Sequence, residues 1–118
     1  SLEVEPEKVA LNPLDEELLK KAVAIVEKHM DNVEFSTEIF AREMCMSRSN
    51  LHIKMKALTG ESANDFIRKM RFNQACKLLK EGKYTVSEIS GMVGFNTPSY
   101  FATSFKKYFG CLPSEYGK

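Results

Sequence analysis

From position 16 onward, apolar side chains recur along the chain at helical rather than alternating spacing. Leu18, Leu19, Ala22, Val23, Ile25, Val26 and Met30 form one stripe, which predicts an amphipathic helix of about four turns capped by Asp15. A shorter helix is expected from Ser36 to Met44, with Phe40, Ala41 and Met44 inward. Ser47 caps a third, running to Leu58 and stopped by Thr59-Gly60. Ser62 to Asp65 resembles a capping box, and the fourth helix continues to Glu81, with Phe66, Ile67, Met70, Ala75, Leu78 and Leu79 as its apolar positions. At that length it spans about 30 Å. Thr85 and Glu88 frame a full capping box for a fifth helix ending near Val93, with Gly94 supplying the turn. Thr97-Pro98 opens a sixth that ends at Phe109-Gly110, and Pro113 begins a last short turn through Tyr116. Nothing alternates as a strand would. The expected class is all-α, with about seven helices. Residues 1–14, which lack periodicity and carry Pro6 and Pro13, read as a linker or arm.

The pattern repeats. Phe40-Ala41 and Met44-Cys45-Met46 lie 49 residues before Ile89-Ser90 and Val93-Gly94-Phe95, while Leu51, Met55, Lys56 and Gly60 lie 50 residues before Phe101, Phe105, Lys106 and Gly110. The second turn is therefore one residue longer. Two helices joined by so tight a turn make a helix-turn-helix. The predicted organisation is an arm (1–14), a first helix-turn-helix subdomain (15–60), a connecting helix (61–82) and a second helix-turn-helix subdomain (83–118).

Composition changes the picture mainly through charge. The net charge is +1, but residues 1–41 hold 4 basic and 10 acidic side chains, and residues 42–83 hold 10 basic and 4 acidic. Such asymmetry suits a basic face for a polyanion, with an acidic segment kept away from it. Three cysteines (Cys45, Cys76, Cys111) without a CxxC pair argue against a disulfide framework or a zinc site and for a reducing compartment. No apolar run reaches membrane-spanning length, and the acidic start does not resemble a signal peptide. A cytoplasmic location follows as the expectation, including the cytoplasmic end of a membrane-anchored sensor. The first residue, Ser1, suggests an excerpt of a longer chain. Neither a phosphate-binding glycine loop, nor metal-ligand spacing, nor a nucleophile–base cluster is present, so no enzyme, metal or cofactor is expected of this domain.

Helical geometry then selects the outward residues. If Leu51, Met55 and Leu58 face inward, Ser49, Ile53 and Lys56 face out, flanked by His52. On the sixth helix, burial of Phe101, Phe105 and Tyr108 turns Ser99, Thr103 and Lys106 outward, with Ala102 beside them. A major groove admits one helix. Ser49, Asn50, His52, Ile53, Ser99, Ala102 and Thr103 are the expected base-reading set; exposed Ile53 suits a thymine methyl. Ser47, Arg48, Lys54, Lys56, Thr85, Thr97, Lys106 and Lys107 are the expected phosphate contacts, with the backbone N–H groups at the three caps as further anion donors. Arg71, midway along the connecting helix, is expected to tie the two halves together, with phosphate contact the lesser possibility. Reading helices at the two ends of a connector of about 30 Å would reach successive major grooves, about 34–36 Å apart.

Three stretches carry a resemblance: MSRSNLHIKMKALTG (46–60), FIRKMRFNQACKLLKEG (66–82) and VSEISGMVGFNTPSYFATSFKKYFGCLPSEY (86–116). Their order and spacing resemble the double helix-turn-helix DNA-binding domain of AraC/XylS-type bacterial transcription regulators, over residues 15–117. The lead-in LNPLDEELL and the turn SRSNL look more narrowly like the C-terminal output domain of Bacteroides-type hybrid two-component regulators. The resemblance implies a sequence-specific regulator of transcription acting on double-stranded DNA. Its expected partners are RNA polymerase and upstream receiver and kinase domains of the same chain. The isolated domain is expected to be a monomer and the full-length protein a dimer. The family's reading positions fall on the outward residues named above. Cys45, where the family's first turn usually has glycine, and Ile53 and Thr103, where its reading helices often have arginine, depart from the pattern and bear on the sequence read and the affinity.

Two other functions fit an all-helical chain of this size. One is a protein-interaction module without DNA reading. The other is a histidine phosphotransfer module using His52 or His29, which needs a long-helix bundle that the two tight turns do not make.

Overall fold

A computed structural model describes residues 12–117. Its helices are α1 (Pro13–Lys28), α2 (Thr37–Glu43), α3 (Arg48–Thr59), α4 (Ala63–Glu81), α5 (Val86–Met92) and α6 (Pro98–Phe109), followed by a 3-10 turn at Pro113–Glu115. Among the described residues there is no strand, and no helix is long and apolar enough to cross a membrane. The caps are those the sequence predicts from α2 onward: Ser47 accepts the Asn50 N–H (3.1 Å), Thr85 and Glu88 make a reciprocal box, and Thr97 accepts the Tyr100 N–H (3.1 Å).

The start of α1 differs from expectation. Asn12, not Asp15, is its cap: the Asn12 Oδ1 accepts the Asp15 N–H (2.8 Å) and the Asn12 carbonyl accepts the Glu16 N–H (3.0 Å). Pro13 then takes the first helical position, where its missing N–H costs nothing. Pro13 and Leu14 therefore belong to the helix, and the rest of the expected arm, residues 1–11, lies outside the described residues.

The chain forms two compact units. The first holds α1, residues 35–59 with α2 and α3, and α4 as far as Lys69. Its interior is built from Ala22 and Val26 of α1, Phe40 and Ala41 of α2, Leu51 and Met55 of α3, and Phe66 of α4, all almost wholly buried. Phe40 stacks on Phe66 with ring centroids 6.2 Å apart. These are the inward positions that helical spacing marked.

The second unit holds the rest of α4, α5, α6 and the C-terminal turn, together with residues 29–34. Phe72 is its centre. It is fully buried against Phe95 (5.6 Å), Phe105 (6.0 Å) and Phe109 (5.7 Å). Phe72 is not among the apolar positions expected on α4, although Ala75 and Leu78 beside it are. In fact α4 buries Ala63, Phe66 and Ile67 in its first part and Phe72, Ala75 and Leu78 in its second, and these sets do not share a line. Met30, expected on the α1 stripe, lies beyond the end of that helix and packs in this second core. Tyr108, expected to be buried, is 50% exposed; its ring packs on Phe72 at 4.8 Å with the planes tilted by 34°, while Phe109 packs on Phe105 at 4.5 Å.

Candidate nucleic-acid interface

Each unit presents one twelve-residue helix after a tight turn. The two turns share one hydrogen-bond pattern. In the first, the Cys45 N–H reaches the Arg42 carbonyl (3.0 Å) and the Met46 N–H reaches the Ala41 carbonyl (2.9 Å). In the second, the Gly94 N–H reaches Gly91 (3.1 Å) and the Phe95 N–H reaches Ser90 (3.0 Å). Both are Schellman motifs, which satisfy the last carbonyls of a helix and need a left-handed residue just past its end. Cys45 (φ 59°) and Gly94 (φ 80°) occupy that position. Each following helix is closed by a left-handed glycine, Gly60 or Gly110, whose N–H bonds the Lys56 or Lys106 carbonyl (2.9 and 2.7 Å).

Leu51, Met55 and Leu58 are buried on α3, and Phe101 and Phe105 on α6, so the opposite faces are open. Ser49, Asn50, His52 and Ile53 are exposed on α3, Ile53 to 65%. Ser99 and Thr103 are exposed on α6, with Ala102 half-buried beside them. The Thr103 hydroxyl donates to the Ser99 carbonyl (2.9 Å), which leaves its lone pairs and methyl group to face outward. Among the expected phosphate contacts, Ser47, Arg48, Lys56, Thr97, Lys106 and Lys107 are exposed. Lys54 is half-buried and 3.8 Å from the Asp15 carboxylate of α1. Thr85 is exposed, but its backbone N–H already donates to Glu88 (2.9 Å), so only its hydroxyl proton remains to offer.

Arg71 is buried, 8% exposed, and ties the second unit internally. Its Nη1 donates to the Gly94 carbonyl (2.6 Å) and its Nη2 to the Asn32 carbonyl (2.9 Å). Burial pulls the guanidinium below its usual pKa. His29 is half-buried with its Nδ1 3.4 Å from the Asn32 amide.

Sequence reasoning missed Tyr100. It stands in the first turn of α6, 62% exposed, with its ring backed by Phe95 at 5.6 Å. The internal repeat held the signal: an offset of 50 pairs Tyr100 with Asn50, one of the expected reading residues.

Residues 40–118 match the family model described as a helix-turn-helix domain. The chain is 41% identical over 113 residues to "Histidine kinase P4" of Formosa agariphila, a match that takes in 96% of this chain and 8% of that protein. It thus spans a small part of the curated relatives it matches. Among solved structures it is similar to the C-terminal domain of AraT, a response regulator from Geobacillus stearothermophilus (TM-score 0.79, 28% identity, 92% of this chain and 87% of that one). It is also similar to the DNA-binding domain of AdpA, a global transcriptional factor solved with a target DNA (TM-score 0.76, 29% identity, 85% and 88%). With its paired turns, open outer faces on α3 and α6 and matched family model, the chain belongs to the AraC-type helix-turn-helix family, the DNA-binding domains of transcription regulators.

Proposed function

We propose that this domain reads DNA with both α3 and α6, each entering a major groove, and that it is the output module of a phosphorelay sensor and regulator. The carrying observation is the matched exposure of small polar residues on the two reading helices, opposite fully buried aromatic and aliphatic anchors. Ser49, Asn50, His52, Ile53, Ser99, Ala102 and Thr103 read bases; Ser47, Arg48, Lys56, Thr97, Lys106 and Lys107 hold phosphates, with Lys54 and the Thr85 hydroxyl as lesser contributors. The likeness to a histidine kinase of which this chain covers 8%, and to a response regulator's C-terminal domain, supports the output role. In that role the domain works in the cytoplasm, receives its signal from upstream receiver and kinase domains, dimerises through them and acts on RNA polymerase.

The test is selection from a random duplex pool at two salt concentrations. Enrichment of a bipartite motif with half-sites about one helical turn apart is the expected result. Retention of no DNA at low salt would instead favour a protein-interaction module. On the selected site, Lys56→Ala or Lys106→Ala should lower affinity for every sequence and flatten the salt slope by about one. His52→Ala should change preference at one position by about 1–3 kcal/mol.

A further inference from the structure

Beside the reading face of α3 lies an open cleft of about 730 Å³ within the first unit. Arg48, His52 and Ile53 of α3 line it together with Thr37 at the start of α2 and Ser62 and Asn64 at the start of α4. Every polar side chain among these six can donate a hydrogen bond, and none is a carboxylate. The acids that flank the α4 residues in sequence are engaged elsewhere: Glu61 is 3.8 Å from Lys69, and Asp65 is 3.0 Å from Arg68. The Ser62 Oγ accepts the Asp65 N–H (3.1 Å), so its hydroxyl proton is left to donate. Asn64 is exposed, with two amide protons.

A helix lying in a major groove has a sugar-phosphate strand along each of its flanks. Arg, Ser, Thr and Asn side chains are the usual donors to such a strand, and these contacts fix register without reading sequence. We infer that this cleft seats one phosphodiester strand of the duplex that α3 reads, with Ser62 and Asn64 donating to its phosphates beside Arg48. The inference rests on α3 entering a major groove. It adds the start of α4, which neither the sequence pattern nor the repeat pointed to, as a second wall that sets how α3 is oriented in that groove.

The experiment measures affinity of wild type, Asn64→Ala, Asn64→Lys and Arg48→Ala for the selected site and for unrelated duplex over a salt series, with thermal melting recorded for each. Asn64→Ala should bind both DNAs about threefold more weakly with an unchanged salt slope, as expected for loss of a neutral donor. Arg48→Ala should weaken binding and lower the slope by about one. Asn64→Lys should bind more tightly at low salt with a slope steeper by about one, a gain that misfolding cannot imitate. Wild-type binding with both Asn64 variants indistinguishable from it would overturn the inference while leaving the DNA-reading function intact. A change of base preference in Asn64→Ala would also overturn it, since that marks a base contact. Failure of the wild type to bind any duplex would sink the reading on which the inference rests.

Discussion

The turn after α2 and the turn after α5 make the same hydrogen bonds with different residues in different surroundings. Cys45 adopts φ 59° at an exposed site. Gly94 adopts φ 80° at a buried one, under the Arg71 guanidinium and the Met30 carbonyl. A side chain in the left-handed region costs about 1–2 kcal/mol, and the first turn bears that cost because its Cβ points into solvent. The second turn cannot. A Cβ built on Gly94 would fall on Arg71 and 2.6 Å from the Met30 carbonyl. The two turns show that a left-handed backbone only disfavours side chains, whereas close approach of other atoms excludes them.

Gly94→Ala should sharpen this contrast most. Strain and displacement of Arg71, which frees two carbonyls, together predict destabilisation by about 3 kcal/mol or more in denaturant unfolding. A loss below about 1 kcal/mol would mean that Arg71 can move aside. Cys45→Gly probes the same turn type in the opposite direction and should stabilise by about 1 kcal/mol, strain relief exceeding the added flexibility of the unfolded chain. Unchanged stability would show that the exposed turn relaxes without glycine.

The residues four positions before the left-handed ones extend the comparison. Ala41 and Ser90 are equivalent and both buried, but the Ser90 hydroxyl has no hydrogen-bond partner among the described residues. Ser90→Ala should therefore stabilise by about 0.5 kcal/mol; a loss in melting temperature would reveal a partner for the hydroxyl. The smallest effect is chemical. Cys45 is exposed, whereas burial pushes the Cys76 thiol above its usual pKa. Alkylation followed by mass spectrometry should modify Cys45 well before Cys76, and the reverse order would contradict the open first turn.

Much of the outer face of α3 and α6 was legible because its signals are local. Helical spacing placed Leu51 and Met55 inside and Ser49 and Ile53 outside, as the structure has them. The same logic failed at Tyr108, whose ring meets Phe72 at a tilt of 34° while the residue stays half exposed. A wheel assigns each residue one direction and cannot represent a large ring lying along a surface. Phe72 was absent from the positions expected inside, although α4 buries different faces in its two parts and Phe72 is the centre of the second. The cleft beside α3 was not legible either, since it joins Thr37, His52 and Asn64, residues that only folding brings together.

By itself, the sequence determined six helices, nearly all their caps, both tight turns and the repeat that relates them, since these depend on bonds three to five residues apart. Only the tertiary structure decided that residues 29–34 pack with the C-terminal unit, that Arg71 bonds Gly94 and Asn32 across 23 and 39 positions, and that a Cβ at position 94 would meet Arg71 and the Met30 carbonyl whereas Cys45 lies exposed. The reason is physical: a cap or a stop is satisfied within its own turn of chain, whereas a buried guanidinium must find its acceptors wherever packing delivers them.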